Sequence, residues 1–314
     1  MRFLLIFALL SASVAAVSCG RQASSGVSID SAFKPLIPAD AKALAGIDLD
    51  KLKGTPLYRR HESSLNFPLL DASSERIGLD PRRDLSYVLI AWNGKQPVFM
   101  TRGRFQASTV EQKLLALGAQ STNHGEYKVL RMEGNSLVFL KNSIGMAGPT
   151  AALETVLDTE AKREGGVPQE LQERLQTVPK GDPVWVVSRG GLPFAELSMR
   201  SDYESALSNI AGYVQDTSLG IGIDTGAHIA ADLTCVSEQG AQRVHDGLRA
   251  AVALGRLTTK DDQQDMLRVY DAIHVDQDKT VVRLRADFPS DLADKLLGYL
   301  PELRPATESS YRPR

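Results

Sequence analysis

The sequence predicts an α+β protein made of two similar tandem units, each with the element order β-α-β-β-α-β-β-α and a mainly antiparallel sheet covered by helices. Three observations lead to this fold class. Strand-like runs are joined by tight turns, amphipathic helical runs are inserted between them, and the same order of elements recurs in both halves of the chain. The hydrophobic fraction of 43% and charged fraction of 24% are those of a globular protein.

The first unit is predicted over residues 35–160, and it opens with the strand Ala43–Leu49. Asn93-Gly94 separates two later strand-like runs and predicts a hairpin, because both central residues of a type I′ turn need positive φ. Ser108 and Glu111 have the spacing of a capping box at the start of a helix. The strand runs of this unit after the first are Tyr87–Trp92, Pro97–Arg102, Tyr127–Met132, Leu137–Leu140 and Ile144–Ala147, and a final helix follows Pro149.

The second unit is predicted over residues 183–300, after a polar linker over residues 161–182 with a short helix at Pro168–Leu175, and before a flexible tail over residues 301–314. Its elements repeat the order of the first unit, which indicates an internal duplication. They are the strand Val184–Ser188, a helix over Leu192–Val214, a hairpin around Asp224-Thr225-Gly226, a helix capped by Ser237, a hairpin of Ile273–Val275 with Val281–Ala286, and a helix from Pro289.

The N-terminus has the pattern of a secretory signal, with Arg2 followed by an apolar run that ends in small residues at Ser18. The run is shorter than the ~20 apolar residues of a transmembrane helix. The segment Ala16-Val17-Ser18-Cys19-Gly20 resembles the lipobox of bacterial lipoproteins, with Ala16 where that motif usually has Leu. The resemblance implies a signal peptide over residues 1–18, a Cys19 that carries palmitate or a similar fatty acyl group, and a lipidated tether over residues 19–34. Gly20 after the cysteine implies the outer membrane, facing the periplasm.

The chain as a whole resembles a group of uncharacterised bacterial envelope proteins of unknown function. The resemblance rests on Ile37-Pro38-Ala39-Asp40-Ala41 before a glycine-containing strand, and on Ile144–Leu153, where a turn leads into a helix. It implies a fold and a location in the envelope, with the membrane as partner through the lipid anchor, and it brings no assigned catalytic residues. The net charge is −2 with both signs interspersed, so no nucleic-acid-binding surface is predicted.

Asp224 is the strongest catalytic candidate in the sequence. Asp224-Thr225-Gly226-Ala227 after Ile221-Gly222-Ile223 resembles the active-site loop of aspartic proteases. Those enzymes need two carboxylates that share a proton, and a single copy serves only in a homodimer. The alternative is a three-residue hairpin loop in which Asp accepts local hydrogen bonds and Gly takes positive φ. The matching turn of the first unit, Trp92-Asn93-Gly94, has no aspartate, and this favours the hairpin.

The sequence predicts no metal site and no cofactor. The five histidines are scattered without metal-ligand spacing, although His228 and Asp232 have the same strand parity after Asp224. Gly220-x-Gly222 lies inside a strand, whereas a phosphate-binding glycine loop must open a helix. Cys235 lies in a strand-like run, so we expect a buried and inert thiol.

Three functions remain open from the sequence. The favoured one is a non-enzymatic envelope lipoprotein that binds a protein, peptide or lipid partner. The second is a hydrolase of the aspartic-protease type that uses Asp224. The third is a carrier of a small apolar ligand, which requires a deep cavity lined by apolar side chains.

Overall fold

The computed structural model describes residues 26–63, 74–141, 143–192 and 210–299. It has an α+β fold in which the strands of both halves form one twelve-stranded antiparallel sheet. The strands are β1 Ala43–Asp48, β2 Leu85–Trp92, β3 Pro97–Gly103, β4 Gln120–His124, β5 Tyr127–Met132, β6 Asn135–Leu140, β7 Ile144–Pro149, β8 Val184–Arg189, β9 Val214–Ile223, β10 Ala227–Cys235, β11 Ile273–Asp278 and β12 Val281–Phe288.

The α-helices with bounds in the described residues lie between these strands or after the last of them, and three follow one another between β1 and β2, where the predicted order has one. They are α1 Leu49–Gly54, α2 Pro56–His61, α3 Pro81–Asp84, α4 Ala107–Ala116, α5 Thr150–Lys162, α6 Gln169–Leu175, α7 Glu238–Thr258, α8 Gln264–Asp271 and α9 Ser290–Tyr299. Much of the predicted helix Leu192–Val214 lies outside the described residues. Among the described residues, no helix is both long enough and apolar enough to cross a membrane.

The two halves meet where β1 pairs with β8, at the middle of the strand order β11-β12-β10-β9-β8-β1-β2-β3-β7-β6-β5-β4. Outward from this pair, β1-β2-β3-β7-β6 in the first half matches β8-β9-β10-β12-β11 in the second. The first half has two strands more than the second; β7 contains the predicted run Ile144–Ala147, whereas β4 was not predicted. Its hairpin β2–β3 also differs from the expected type I′ turn. Gly94 has positive φ but Asn93 does not, and the Asn93 side chain accepts from the amides of Lys95 and Gln96.

Helices cover both faces of this sheet. Cross-strand neighbours share a face, so Leu89, Met100 and Met146 lie on the first face, in one cluster with the buried leucines of α5 and α6. The second face is covered by α4 in the first half and by α7 and α9 in the second, where Val244 packs with Leu233 and Val282. Helix α4 begins at Ala107 after Gln106, so the predicted Ser108–Glu111 capping box is wrong.

The predicted tether over residues 19–34 is too long, because residues 26–34 belong to the fold. Val27, Ile29 and Phe33 are buried in the cluster under α5 and α6, and the Val27 amide donates to the Leu175 carbonyl at 3.0 Å. Phe33 stacks on Tyr87 with ring centroids 5.8 Å apart. Within the predicted linker over residues 161–182, the predicted short helix is present as α6, with Leu175 in the core.

Candidate functional site

No helix among the described residues covers the first face of the sheet over β10, β12 and β11, and we call this surface the open face. Its side chains are half-buried or exposed and, apart from Ala230 and Val281, polar. Four cross-strand rows order them, with His228 opposite Asp287, Ala230 opposite Arg285, Asp232 opposite Arg283 and Thr234 opposite Val281. The open face consists of His228, Ala230, Asp232, Thr234, His274, Asp276, Asp278, Val281, Arg283, Arg285 and Asp287. It therefore holds four aspartates and two arginines, an excess of two negative charges.

Both arginines of the open face are paired. Arg285 contacts Asp232 at 2.6 Å and donates to the Ala231 carbonyl at 2.8 Å, while Arg283 contacts Asp278 at 3.1 Å. Asp276 and Asp287 make no hydrogen bond or ion pair within the described residues through their side chains. The unneutralised charge of the open face is therefore carried by Asp276 and Asp287.

A cleft of about 510 Å³ lies at one end of the open face, and we call it the hairpin cleft. Its lining is Gly181, Asp182, Gly222, Ile223, Asp224, Gly226, Ala227, His228, Asp287, Phe288 and Pro289. Helix α2 holds the β9–β10 hairpin in place, because the Leu57 amide donates to the Asp224 carbonyl at 2.9 Å and Arg60 donates to the Thr225 carbonyl at 2.9 Å. The backbone on this side of the cleft is therefore fixed, while the Asp224 side chain is exposed.

Gly226 supports this hairpin in a way that differs from the prediction. The sequence suggests a glycine with positive φ, but Gly226 does not have a positive φ. A Cβ atom at this position would lie 2.4 Å from the Phe288 carbonyl oxygen. The glycine is needed because the chain passes close to the end of β12.

The floor of the hairpin cleft holds a buried carboxylate bonded to a histidine. Asp182 is 3% exposed, and its Oδ1 lies 3.1 Å from Nε2 of His228, whose side chain is half exposed. Two glycines on β9 make room for the pair. A Cβ at Gly220 would lie 2.2 Å from Oδ2 of Asp182, and one at Gly222 would lie 1.8 Å from the His228 ring.

Oδ2 of Asp182 is buried without a hydrogen-bond partner among the described residues. Burial raises the pKa of the Asp182 carboxyl group, and the nearby His228 and Lys51 act in the opposite direction. The carboxylate accepts from Nε2 of His228, so in the neutral ring Nε2 carries the proton and Nδ1 is the acceptor.

The sequence-predicted residues are only partly brought together at this site. Asp224 and His228 line the hairpin cleft, and Asp232 lies further along the open face, bonded to Arg285. The described residues contain no group of three His, Cys, Asp or Glu side chains placed to hold a metal ion. Cys235 is buried away from the cleft, and burial raises the pKa of its thiol. Cys19 lies outside the described residues.

Sequence reasoning missed Asp182, which falls in the predicted linker. A signal for it existed in Gly220-x-Gly222, because two glycines on the same face of a strand indicate that another group approaches the backbone closely. The spacing of the two glycines did not show that this group is a carboxylate 38 residues before Gly220. It also did not show that the carboxylate contacts His228.

Comparison with known proteins is informative only for the fold. No protein-family model and no curated protein matches the sequence. The chain is similar to the crystal structures of TP0453, with a TM-score of 0.50 and 10% identity for crystal form III, over 88% of this chain and 99% of that one. For crystal form I the TM-score is 0.47, again at 10% identity and over 88% and 99% of the two chains. At this identity, the similarity to form III shows a shared α+β fold and no more.

Proposed function

We propose that this chain is a non-enzymatic envelope lipoprotein that binds a basic peptide or protein segment on its open face. The observation that carries the proposal is the uncovered first face of the second half. There, an excess of negative charge is displayed on a rigid sheet whose ion pairs fix the side chains. A basic partner is complementary to this surface, and charge complementarity increases both the association rate and the specificity.

The other partners considered from the sequence fit the open face less well. Anionic lipid head groups would be repelled by Asp276 and Asp287. A carrier of a small apolar ligand needs an enclosed apolar cavity, whereas the hairpin cleft is open and has Asp, His and apolar residues in its lining. For a hydrolase, Asp224 would need a second carboxylate in contact, and its side chain makes no hydrogen bond or ion pair within the described residues.

The binding proposal is tested with the full chain and three sets of twelve-residue peptides that differ only in net charge. We expect the basic set alone to bind, with an affinity that falls as salt rises. The double substitution Asp276→Lys, Asp278→Lys should weaken binding about tenfold, because it reverses the free charge of Asp276 and replaces the Asp278–Arg283 ion pair with two positive charges. Asp40→Lys, at an exposed aspartate of the first half, is the matched control and should have little effect. Equal binding of acidic and basic peptides would refute the proposal.

The proposed anchor is tested separately, because its failure would leave the binding surface intact. Cells expressing the chain are fed an alkyne analogue of palmitate, and the labelled protein is detected after fractionation of the envelope. We expect label on the wild type in the outer-membrane fraction and none on Cys19→Ala. Label that persists in Cys19→Ala would show that the anchor is elsewhere, and an unlabelled wild type would indicate an ordinary cleaved signal.

A further inference from the structure

Among the described residues, the lining of the hairpin cleft has hydrogen-bond acceptors and no lysine or arginine. Its carboxylates are Asp182 on the floor and Asp224 and Asp287 at the rim. Lys51, whose charge lowers the pKa of Asp182, is not part of the lining. Its Nζ donates to the Lys180 carbonyl at 3.2 Å. Three carboxylates therefore border one cavity to which the described residues contribute no cationic side chain.

Asp182 gives an independent indication that the cleft is built for a ligand. Asp182 is 3% exposed and one of its oxygens has no partner among the described residues, which destabilises the folded protein. A group of this kind is therefore more readily explained by a role in binding. In this position it fixes the ring of His228, because its Oδ1 accepts the Nε2 proton. The half-exposed ring then offers Nδ1 as an acceptor.

The rim carboxylates are available for a bound group. Neither Asp224 nor Asp287 makes a hydrogen bond or an ion pair with its side chain in the described part of the chain, and Asp287 lies directly opposite His228 in the β10–β12 register. Ile223 and Phe288 also line the cleft, and their side chains pack in the core cluster under α9, which fixes the cleft wall.

We propose that the hairpin cleft binds a protonated amine or a guanidinium group on an alkyl stem, held by Asp224 and Asp287 with His228 Nδ1 as a third acceptor. The lysine or arginine side chain of a peptide is such a group. This proposal rests on the proposed function, in which the partner binds to the open face. It adds that the adjoining cleft binds a lysine or arginine side chain of that partner.

The test uses the full chain and four short peptides of otherwise identical sequence that carry lysine, arginine, acetyl-lysine or norleucine at the central position. Binding is measured by isothermal titration calorimetry. We expect the lysine or arginine peptide to bind about tenfold more tightly than the acetyl-lysine and norleucine peptides, and the ratio of the first two identifies the preferred cation. Equal binding of all four peptides would overturn the proposal.

Two variants locate the effect. Asp224→Asn and Asp287→Asn replace exposed side chains, and each should weaken the lysine or arginine peptide about two- to five-fold, the range expected for an exposed ion pair. Asp40→Asn, in the first half, is the matched control. Circular dichroism spectra that match the wild type confirm that each variant is folded. Unchanged affinity in both cleft variants would exclude the hairpin cleft.

The same data separate this inference from the proposed function. If Asp276→Lys, Asp278→Lys weakens the basic peptide while Asp224→Asn and Asp287→Asn do not, the open face binds the partner and the cleft proposal is wrong. If no basic peptide binds the wild type, both proposals fail.

Discussion

Replacing Gly46 by alanine should destabilise the protein by introducing a clash where the two halves meet. Gly46 in β1 lies directly opposite Trp185 in β8, and the indole ring covers the glycine. An added Cβ would lie 2.2 Å from Cε2 and 2.4 Å from Nε1 of the ring. Carbon atoms in contact are about 3.5–4.0 Å apart, so the ring would have to move by more than about 1 Å.

The ring has little room for this movement. Trp185 is 1% exposed and has Gly220 as its cross-strand neighbour in β9, next to the buried Asp182 carboxylate. Overpacking of this kind costs about 1–3 kcal/mol. For a domain of this size, 2 kcal/mol corresponds to a decrease in Tm of about 4–8 °C.

The assay is urea unfolding followed by tryptophan fluorescence, with circular dichroism as a second probe. Gly54→Ala is the matched control, because Gly54 ends α1 and no atom lies within 4 Å of an added Cβ. Its free energy of unfolding should change by less than about 0.5 kcal/mol. If Gly46→Ala is as stable as the wild type, the indole does not pack on β1, and the arrangement of the β1–β8 pair described above is incorrect.

Two further substitutions test the N-terminal segment and the floor of the cleft. Phe33→Ala removes a fully buried ring and should lower the free energy of unfolding by about 3–5 kcal/mol in urea titrations, whereas a loss under about 1 kcal/mol would mean that residues 26–34 are a tether after all. Asp182→Asn should change the pH dependence of stability. Because burial raises the pKa of Asp182 in the folded state, the wild type gains stability as pH falls and loses it as pH rises through that pKa. The variant should therefore be about as stable as the wild type near pH 4 and more stable at pH 7, and urea midpoints that differ equally at both pH values would contradict this.

The strands could be predicted where side chains alternate between a buried and an exposed face, as in β2 and β3. β4 was missed because Gln120–His124 is polar throughout and lies at the sheet edge, so it has no hydrophobic period. The single sheet was also beyond prediction, since the β1–β8 pair joins residues about 140 positions apart and no local signal specifies it. The N-terminal segment is rich in Ser and Gly, so it was predicted to be a tether. Its two apolar residues Val27 and Ile29 were therefore not predicted to lie in the core.

For the candidate site, the sequence identified Asp224 and the hairpin but not the contact between Asp182 and His228. The Asp182–His228 contact depends on how the chain turns after α6 and on the absence of side chains at Gly220 and Gly222. A glycine pair in a strand predicts that some group lies close to the backbone, but only the folded chain shows that the group is a carboxylate and that an imidazole covers it.

The two halves share a strand order but differ in the residues of the first face, and this difference determines which half can bind a partner there. In the first half the paired Met100 and Met146 are fully buried under α5, and exposing them would lose the hydrophobic free energy that holds that helix. On the matching strand pair of the second half, the neighbouring positions are Ala230 and Arg285, with Asp232 bonded to the same arginine. Covering that ion pair with a helix would remove both charges from water at a cost of several kcal/mol. The second half therefore keeps its face open, and any partner of that face must replace the lost hydration with charges of its own.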